Sequence, residues 1–305
     1  MNILVTGTEG LLGTALRSDP RLGLLGEVTW TSRRTNPDAI VLDLASPDEV
    51  IEGVLDAVAP DVIVNAAAYT AVDKAEEEES IATAVNGDAV GAMGKWAATH
   101  GALVIHVSTD YVFDGLSASP YAVDAATSPG NAYGRSKLAG EIALHESSAD
   151  FIILRTAWLY ASTGRNFMNT MLRLAAERDE LRVVADQIGC PTPAASLATA
   201  IIDGMERWSV ATVPERAKLR GIYHVVTHGH TSWHGFAEAI VEGAAARGLI
   251  QRPPRVIPIG TADFPTPARR PPYSVLDNSL FEATFVRKFP TWEDALSSTL
   301  DELIS

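Results

Sequence analysis

Three short segments of this 305-residue chain carry residue types at spacings that can do chemistry. In NAYGRSKLAGE (131–141), Tyr133 and Lys137 stand four residues apart. On a helix that spacing puts both side chains on one face. An ammonium beside a phenol favours the phenolate and makes the tyrosine a usable acid or base near neutrality. In ALVIHVSTDYVFDG (102–115), an apolar strand runs into Ser108, Thr109 and Asp110, so two hydroxyls and a carboxylate stand at a strand's carboxyl end without turn chemistry to explain them. In TGTEGLLG (6–13), Gly7, Gly10 and Gly13 form a GxxGxxG pattern directly after an apolar strand and before a helical segment. A strand that must end, turn sharply and bring a helix N-terminus to a phosphate favours residues without a β-carbon, so this segment reads as a dinucleotide site.

Which dinucleotide depends on the end of the second strand, where an acid would accept a ribose 2′-hydroxyl and a base would accommodate a 2′-phosphate. The residues there are Thr31, Ser32, Arg33 and Arg34. Arg33 therefore points to NADPH over NADH, against the alternative of two solvated loop arginines. Asp43, at the end of the third strand, could accept from an adenine amino group or could serve a turn.

These residues need a scaffold, and the first 150 residues alternate strand-like and helix-like runs. Strands are expected at 2–6, 28–31, 40–42, 62–64 and 103–107, several without the polar alternation of a half-exposed strand. Ser46-Pro47-Asp48-Glu49 reads as a helix start with Ser46 as cap, and 76–100 reads as one long helix. The expected fold class is α/β, a Rossmann-type doubly wound parallel sheet with a smaller C-terminal lobe. A sixth strand, FIILRT (151–156), is followed by helices near 166–177 and 196–208, apolar runs LRVV and YHVV, and a last helix from about Trp292. The expected division is a dinucleotide-binding domain over 1–155 and a substrate lobe over 156–305, with some segments returning to the first domain. Seven prolines between Arg252 and Pro272 exclude a regular element there and imply extended chain wrapping the lobe.

Composition narrows the partners. A net charge of −14 disfavours nucleic acid and anionic membrane faces, so an anionic ligand must be held by local groups. The single cysteine, Cys190, excludes an internal disulfide framework, and no cysteine or histidine spacing suits a metal. The start MNILVTG lacks the features of a secretory leader and no run is long enough to span a membrane, which makes the cytoplasm the expected compartment.

Together, TGTEGLLG, NAAAYTAVDKAE (65–76), HVSTDYVFDG, YGRSK, RTAWLYASTGRNF (155–167), DQIGCPT (186–192) and RRPPYSVLD (269–277) resemble the extended short-chain dehydrogenase/reductase family, and within it the dTDP-4-dehydrorhamnose reductases. The resemblance runs through nearly the whole chain in order. It implies hydride transfer from NADPH or NADH to the C4 carbonyl of a nucleotide ketosugar. In that reaction Tyr133 is the proton donor, Lys137 holds the nicotinamide ribose and lowers the tyrosine pKa, and Thr109 donates to the developing alkoxide. It further implies pyrophosphate contacts at Gly7, Gly10, Leu11 and Leu12, adenine-side contacts at Asp43 and Leu44, mid-cofactor contacts at Ala68, Tyr69 and Thr70, and a nicotinamide neighbour in Val107. Asp110, Trp158, Asn166 and Arg270 are the implied sugar and phosphate contacts, Trp158 being equally suited to a core and Arg270 to a surface ion pair. Relatives with a metal-bridged dimer carry a glutamate just after the glycine loop, where this chain reads Thr14, Ala15, Leu16. No metal is therefore expected, and a monomer and a homodimer both remain open.

Two other readings use the same fold. One is an epimerase or dehydratase that retains NAD; a dehydratase would need a second acid after Asp110, where this chain has Tyr111. The other is a non-enzymatic nucleotide-binding regulatory subunit, which would have no use for Thr109, Tyr133 and Lys137 together.

Overall fold

The computed structural model describes residues 1–304. Seven strands form one parallel sheet: β1 (Asn2–Thr6), β2 (Glu27–Ser32), β3 (Ile40–Val41), β4 (Val62–Asn65), β5 (Leu103–Thr109), β6 (Asp150–Thr156) and β7 (Gly221–His224). Their order is β7-β6-β5-β4-β1-β2-β3, with every neighbouring pair parallel. The chain runs outward from β1 to β3 and then restarts on the other side of β1 with β4. A crevice opens at that reversal, beyond the carboxyl ends of the strands.

Alternation explains why the central strands read as unbroken apolar runs. Ile3, Val5, Val62, Val64, Leu103, Ile105, Ile152 and Leu154 enter one core, while Leu4, Ile63, Val104, Phe151 and Ile153 enter the other. Both faces are covered, so both sets of positions are apolar through the middle of the sheet. Helices α1 (Leu11–Ser18) and α5 (Ala194–Val210) cover the first face. Helices α2 (Asp48–Val58), α3 (Ala89–His100) and α4 (Ala132–Glu146) cover the second. A separate core in the C-terminal half gathers Tyr160, Met168, Leu181, Phe236, Ile240, Trp292 and Leu296. Although β7 lies in that half of the sequence, it returns to pair with β6 at the edge of the main sheet.

Three expectations are corrected. The long helix expected over 76–100 starts at Glu79 and passes through a π turn at Ala84–Asp88 before continuing as α3. Glu76 lies before it, and its carboxylate accepts from the Ala132 N–H at the start of α4. Ser46 does not cap α2: the helix begins at Asp48 after Pro47, and no side chain caps it. The proline-rich segment contains a regular strand, Arg255–Ile259, paired in parallel with Glu180–Val184. Backbone bonds at Arg255 N and Ile259 O show that the odd-numbered residues face the partner. Pro258 therefore turns its nitrogen to the open edge of a two-stranded sheet, where no donor is needed.

The π turn matters because α4 lies directly on it. At Gly140, a β-carbon would sit 2.1 Å from the Asn86 carbonyl oxygen, so only glycine lets α4 come this close. Gly140→Ala is expected to lower stability by about 1–3 kcal/mol through overpacking, read as a lower urea midpoint. It should also lower turnover, because the helix it displaces carries Tyr133 and Lys137.

Candidate active site

One cleft of about 850 Å³ runs along the carboxyl ends of β1, β2, β4, β5 and β6. At its β1 end Gly7 adopts φ +74, and a β-carbon there would lie 2.8 Å from the Ala67 backbone. Gly10 stands at the N-cap of α1 without a side-chain cap, and Leu11 and Leu12 open that helix. Gly7, Gly10, Leu11 and Leu12 all line the cleft. Gly13 does not; it faces the backbone of Gly7 and Thr8 and lets α1 approach the loop. Arg33 and Arg34 border the cleft after β2, with both side chains exposed. Asp43 and Leu44 line it too, though the Asp43 carboxylate also accepts from Ala45 N at 3.0 Å, which is the turn role. Ala68, Tyr69, Thr70 and Val107 form the middle of the wall. A loop with glycine at positions 7 and 10, uncapped helix N–H groups and exposed guanidinium groups beside it fit a phosphorylated dinucleotide.

At the β5 end the cleft is lined by Thr109, Asp110, Tyr133, Lys137 and Trp158. Thr109 is held by its neighbours: its hydroxyl donates to Asp110 Oδ1 at 2.8 Å and accepts from Tyr111 N at 3.2 Å. Helix α4 is capped by Asn131, which accepts from Gly134 N at 2.8 Å and donates to the Arg269 carbonyl. One turn beyond Lys137, the Glu141 carboxylate is paired by Arg155 of β6 at 2.6 and 2.9 Å and receives the Ser108 hydroxyl of β5. Helix and strand are thus locked together beneath the reactive groups.

Burial sets the proton affinities. It raises the Asp110 carboxyl to about 6, opposed by the Ser274 and Thr109 hydroxyls. It lowers the Lys137 ammonium to about 7, opposed by the charge of Glu141. Tyr133 is pushed above the ordinary tyrosine value by burial and then by the charge of Asp110, with the Thr109 hydroxyl opposing. The expected depression of Tyr133 by Lys137 is therefore not what the site contains. The lysine nitrogen turns instead to His106 Nε2, 3.2 Å away. A phenol held protonated in this way is an acid at neutral pH.

Two implied sugar contacts are engaged elsewhere. Asn166 caps the helix Phe167–Glu177, accepting from Asn169 N at 3.1 Å and donating to the Ala161 carbonyl at 2.8 Å, outside the residues that line the cleft. Arg270 pairs with Asp73 at 2.8 Å and contacts the Tyr111 hydroxyl at 3.2 Å, also outside that lining. The pairing chosen is the surface ion pair. Trp158 does reach the cleft, with φ +47 and its indole stacked on Trp233 at a 3.5 Å centroid separation. A left-handed tryptophan is strained backbone at a cleft wall.

Several contributors had no legible signal. Trp233, Gly164 and Arg165 come to the cleft from the C-terminal half. Asn86, in the π turn, accepts from Tyr69 N and donates to Ser136 Oγ, tying the cleft wall to α4. A π turn is the kind of helix irregularity that collects at functional sites, but sequence periodicity does not reveal it.

The family profile for the RmlD substrate binding domain matches residues 1–305. The chain belongs to that family. This RmlD-family chain is 44% identical to the dTDP-4-dehydrorhamnose reductase of Burkholderia thailandensis, with both chains covered in full. Among solved structures, the dTDP-4-dehydrorhamnose reductase of Clostridium acetobutylicum superposes with a TM-score of 0.89 at 33% identity over the whole of both chains. The Bacillus anthracis dTDP-4-dehydrorhamnose reductase, solved in complex with NADP, gives 0.86 at 32% identity over 98% of each.

The raised Asp110 carboxyl makes a stability prediction for this RmlD-family protein. Its folded pKa of about 6 lies above the unfolded value, so stability is full below about pH 4 and is lost as pH rises through 6. Asp110→Asn removes that loss. The variant should match the parent at pH 4 and exceed it by about 2–3 kcal/mol at pH 8, measured from denaturant midpoints across the pH range.

Proposed function

We propose that this RmlD-family protein catalyses NAD(P)H-dependent reduction of the C4 keto group of dTDP-4-dehydro-6-deoxy-L-mannose to dTDP-L-rhamnose, the last step of dTDP-rhamnose biosynthesis. The observation that carries the reading is the convergence of Thr109, Tyr133 and Lys137 on one cleft in a chain aligned with named reductases over its full length. When bound, the reduced nicotinamide supplies the hydride. Tyr133, protonated and buried, gives its proton to the oxygen that becomes the C4 hydroxyl. Thr109 directs a hydrogen bond at the same oxygen, which requires its hydrogen to turn from Asp110 Oδ1 to the substrate. Lys137 holds the cofactor's ribose and stabilises the tyrosinate that proton transfer leaves behind. Asp110 and Trp158 are the sugar contacts, and Arg33 meets the 2′-phosphate of NADPH, the preferred cofactor. Residues 1–155 bind dinucleotide and residues 156–305 mainly shape the sugar pocket. The protein acts in the cytoplasm as a monomer or homodimer, on a small-molecule nucleotide sugar and not on nucleic acid or membrane.

Tyr111 favours reduction over dehydration. It lies edge-on to Tyr133 with ring centroids 5.7 Å apart, and its hydroxyl meets Arg270, so no second carboxylate follows Asp110 to take a C5 proton.

The deciding experiment follows loss of reduced-nicotinamide absorbance with enzymatically generated dTDP-4-dehydro-L-rhamnose. Stoichiometric NADPH oxidation is expected; absence of oxidation with both NADPH and NADH overturns the reading. A protein that purifies with bound NAD and consumes no added NADPH would be an epimerase instead. In the active enzyme, Tyr133→Phe should lower kcat by roughly 10²–10⁴ while leaving the KM for NADPH within a few-fold, because proton transfer belongs to the transition state. Arg33→Ala should raise the KM for NADPH roughly tenfold, the equivalent of one charge-assisted hydrogen bond, and leave that for NADH unchanged.

A further inference from the structure

Beneath the reactive groups lies a row of polar side chains that the mechanism above does not use. Strand register puts Thr6 beside Asn65 and Asn65 beside His106, on β1, β4 and β5. Thr6 Oγ1 donates to Asn65 Oδ1 at 2.7 Å, and Asn65 Nδ2 is 3.1 Å from His106 Nδ1. His106 Nε2 lies 3.2 Å from Lys137 Nζ. Each of the four residues is at most 2% exposed. Thr6 also accepts from Ala67 N at 3.1 Å, so the row reaches the cleft wall behind the glycine loop.

A neutral imidazole has one N–H and one lone pair, so its two neighbours cannot both donate. His106 is neutral, because burial and then the charge of Lys137 hold its pKa well below the usual value. The row therefore has two proton arrangements, and the amide orientation in the structure, with Asn65 Oδ1 toward Thr6 and Nδ2 toward His106, is the first. In one, Lys137 is an amine accepting from Nε2–H, Nδ1 accepts from the Asn65 amide, and the amide oxygen accepts from Thr6. In the other, Lys137 is an ammonium donating to Nε2, Nδ1–H donates to the amide oxygen of Asn65, and the amide N–H donates to Thr6. A half-turn of the Asn65 amide separates them.

We propose that His106 is a positioning residue: in the Nδ1–H tautomer, reached by a half-turn of the Asn65 amide, its Nε2 lone pair holds Lys137 charged and aimed at the nicotinamide end of the cleft. A hydrogen bond to the charged form favours that form, opposing the desolvation that burial imposes on the lysine. Glu141 attracts the same ammonium from one turn along α4, but its carboxylate oxygens are taken by Arg155 and Ser108. His106 is the side chain left to accept from Lys137 among the described residues. Tyr133, Asp110 and Tyr111 face the cleft beyond it.

The inference rests on the reductase reading for what the lysine does, and the tests separate the two. In the native protein with NADPH bound at pH 6, histidine ¹⁵N spectra should give the Nδ1–H tautomer for His106. It is distinguished from the other buried neutral ring, His224, by the signal lost in His106→Gln or, equally, in His224→Gln. An Nε2–H tautomer under those conditions overturns the proposal, whatever the protein reduces. Kinetically, His106→Gln returns an acceptor oxygen to the Nε2 position, His106→Asn returns a polar atom only near Nδ1, and His106→Leu returns neither. The Leu and Asn proteins should lose at least tenfold in kcat, and the Gln protein should lie within about threefold of the parent. Equal turnover in the Leu and Gln proteins, or an Asn protein faster than the Gln protein, overturns the assignment. A parent that reduces no ketosugar defeats the reductase reading alone, leaving the tautomer to decide this one.

Discussion

The buried ion pair between Glu141 and Arg155 is the constraint on which the site depends. Both side chains are 3% exposed, and two nitrogens of the guanidinium meet two oxygens of the carboxylate. Arg155 comes from β6, Glu141 from α4, and Ser108 of β5 joins the same carboxylate. The third guanidinium nitrogen reaches the Val123 carbonyl, so the connection between β5 and α4 is held as well. Such a pair adds little to stability against an apolar replacement, but losing one partner leaves a buried charge and costs about 3–5 kcal/mol. Its contribution is geometric: it fixes the helix carrying Tyr133 and Lys137 against the strand carrying Thr109.

Burial at that junction moves three groups toward neutrality. Asp110 rises to about 6, Lys137 falls to about 7, and Tyr133 rises above its ordinary range. All three changes have desolvation as their largest cause, so the same closed packing that fixes position also sets protonation state. The exposed arginines at the far end of the cleft work differently. In a chain of net charge −14, Arg33 and Arg34 provide local positive charge in water, where it is screened.

Much of the scaffold was legible because it obeys short-range rules. Apolar runs on both faces marked β1, β4, β5 and β6, and the turn after β1 announced itself by glycines that a β-carbon would exclude. Tyr133 and Lys137 were legible for a related reason: four residues on a helix is a local distance. Errors arose where a distant partner decided. Glu76 left the expected helix to hold the start of α4, and Pro258 entered a strand because a two-stranded sheet leaves one edge where no donor is needed. Asn166 and Arg270 have side chains suited to a sugar or a phosphate; Asn166 instead caps the helix that follows it, a local role, and Arg270 pairs with the distant Asp73.

By itself the sequence determined which residues can do the chemistry and the order of elements that carries them, since residue type, apolar period and helical spacing are properties of neighbouring positions. Only the tertiary structure decided the proton affinities and the partners. Lys137 faces His106 because the parallel register of β1, β4 and β5 lines up residues 6, 65 and 106. Tyr133 is raised, contrary to the effect its helical neighbour suggested, because desolvation depends on everything packed around a group. The row from Thr6 to Lys137 joins neighbours 31 to 59 positions apart, and no local pattern in the chain encodes such contacts.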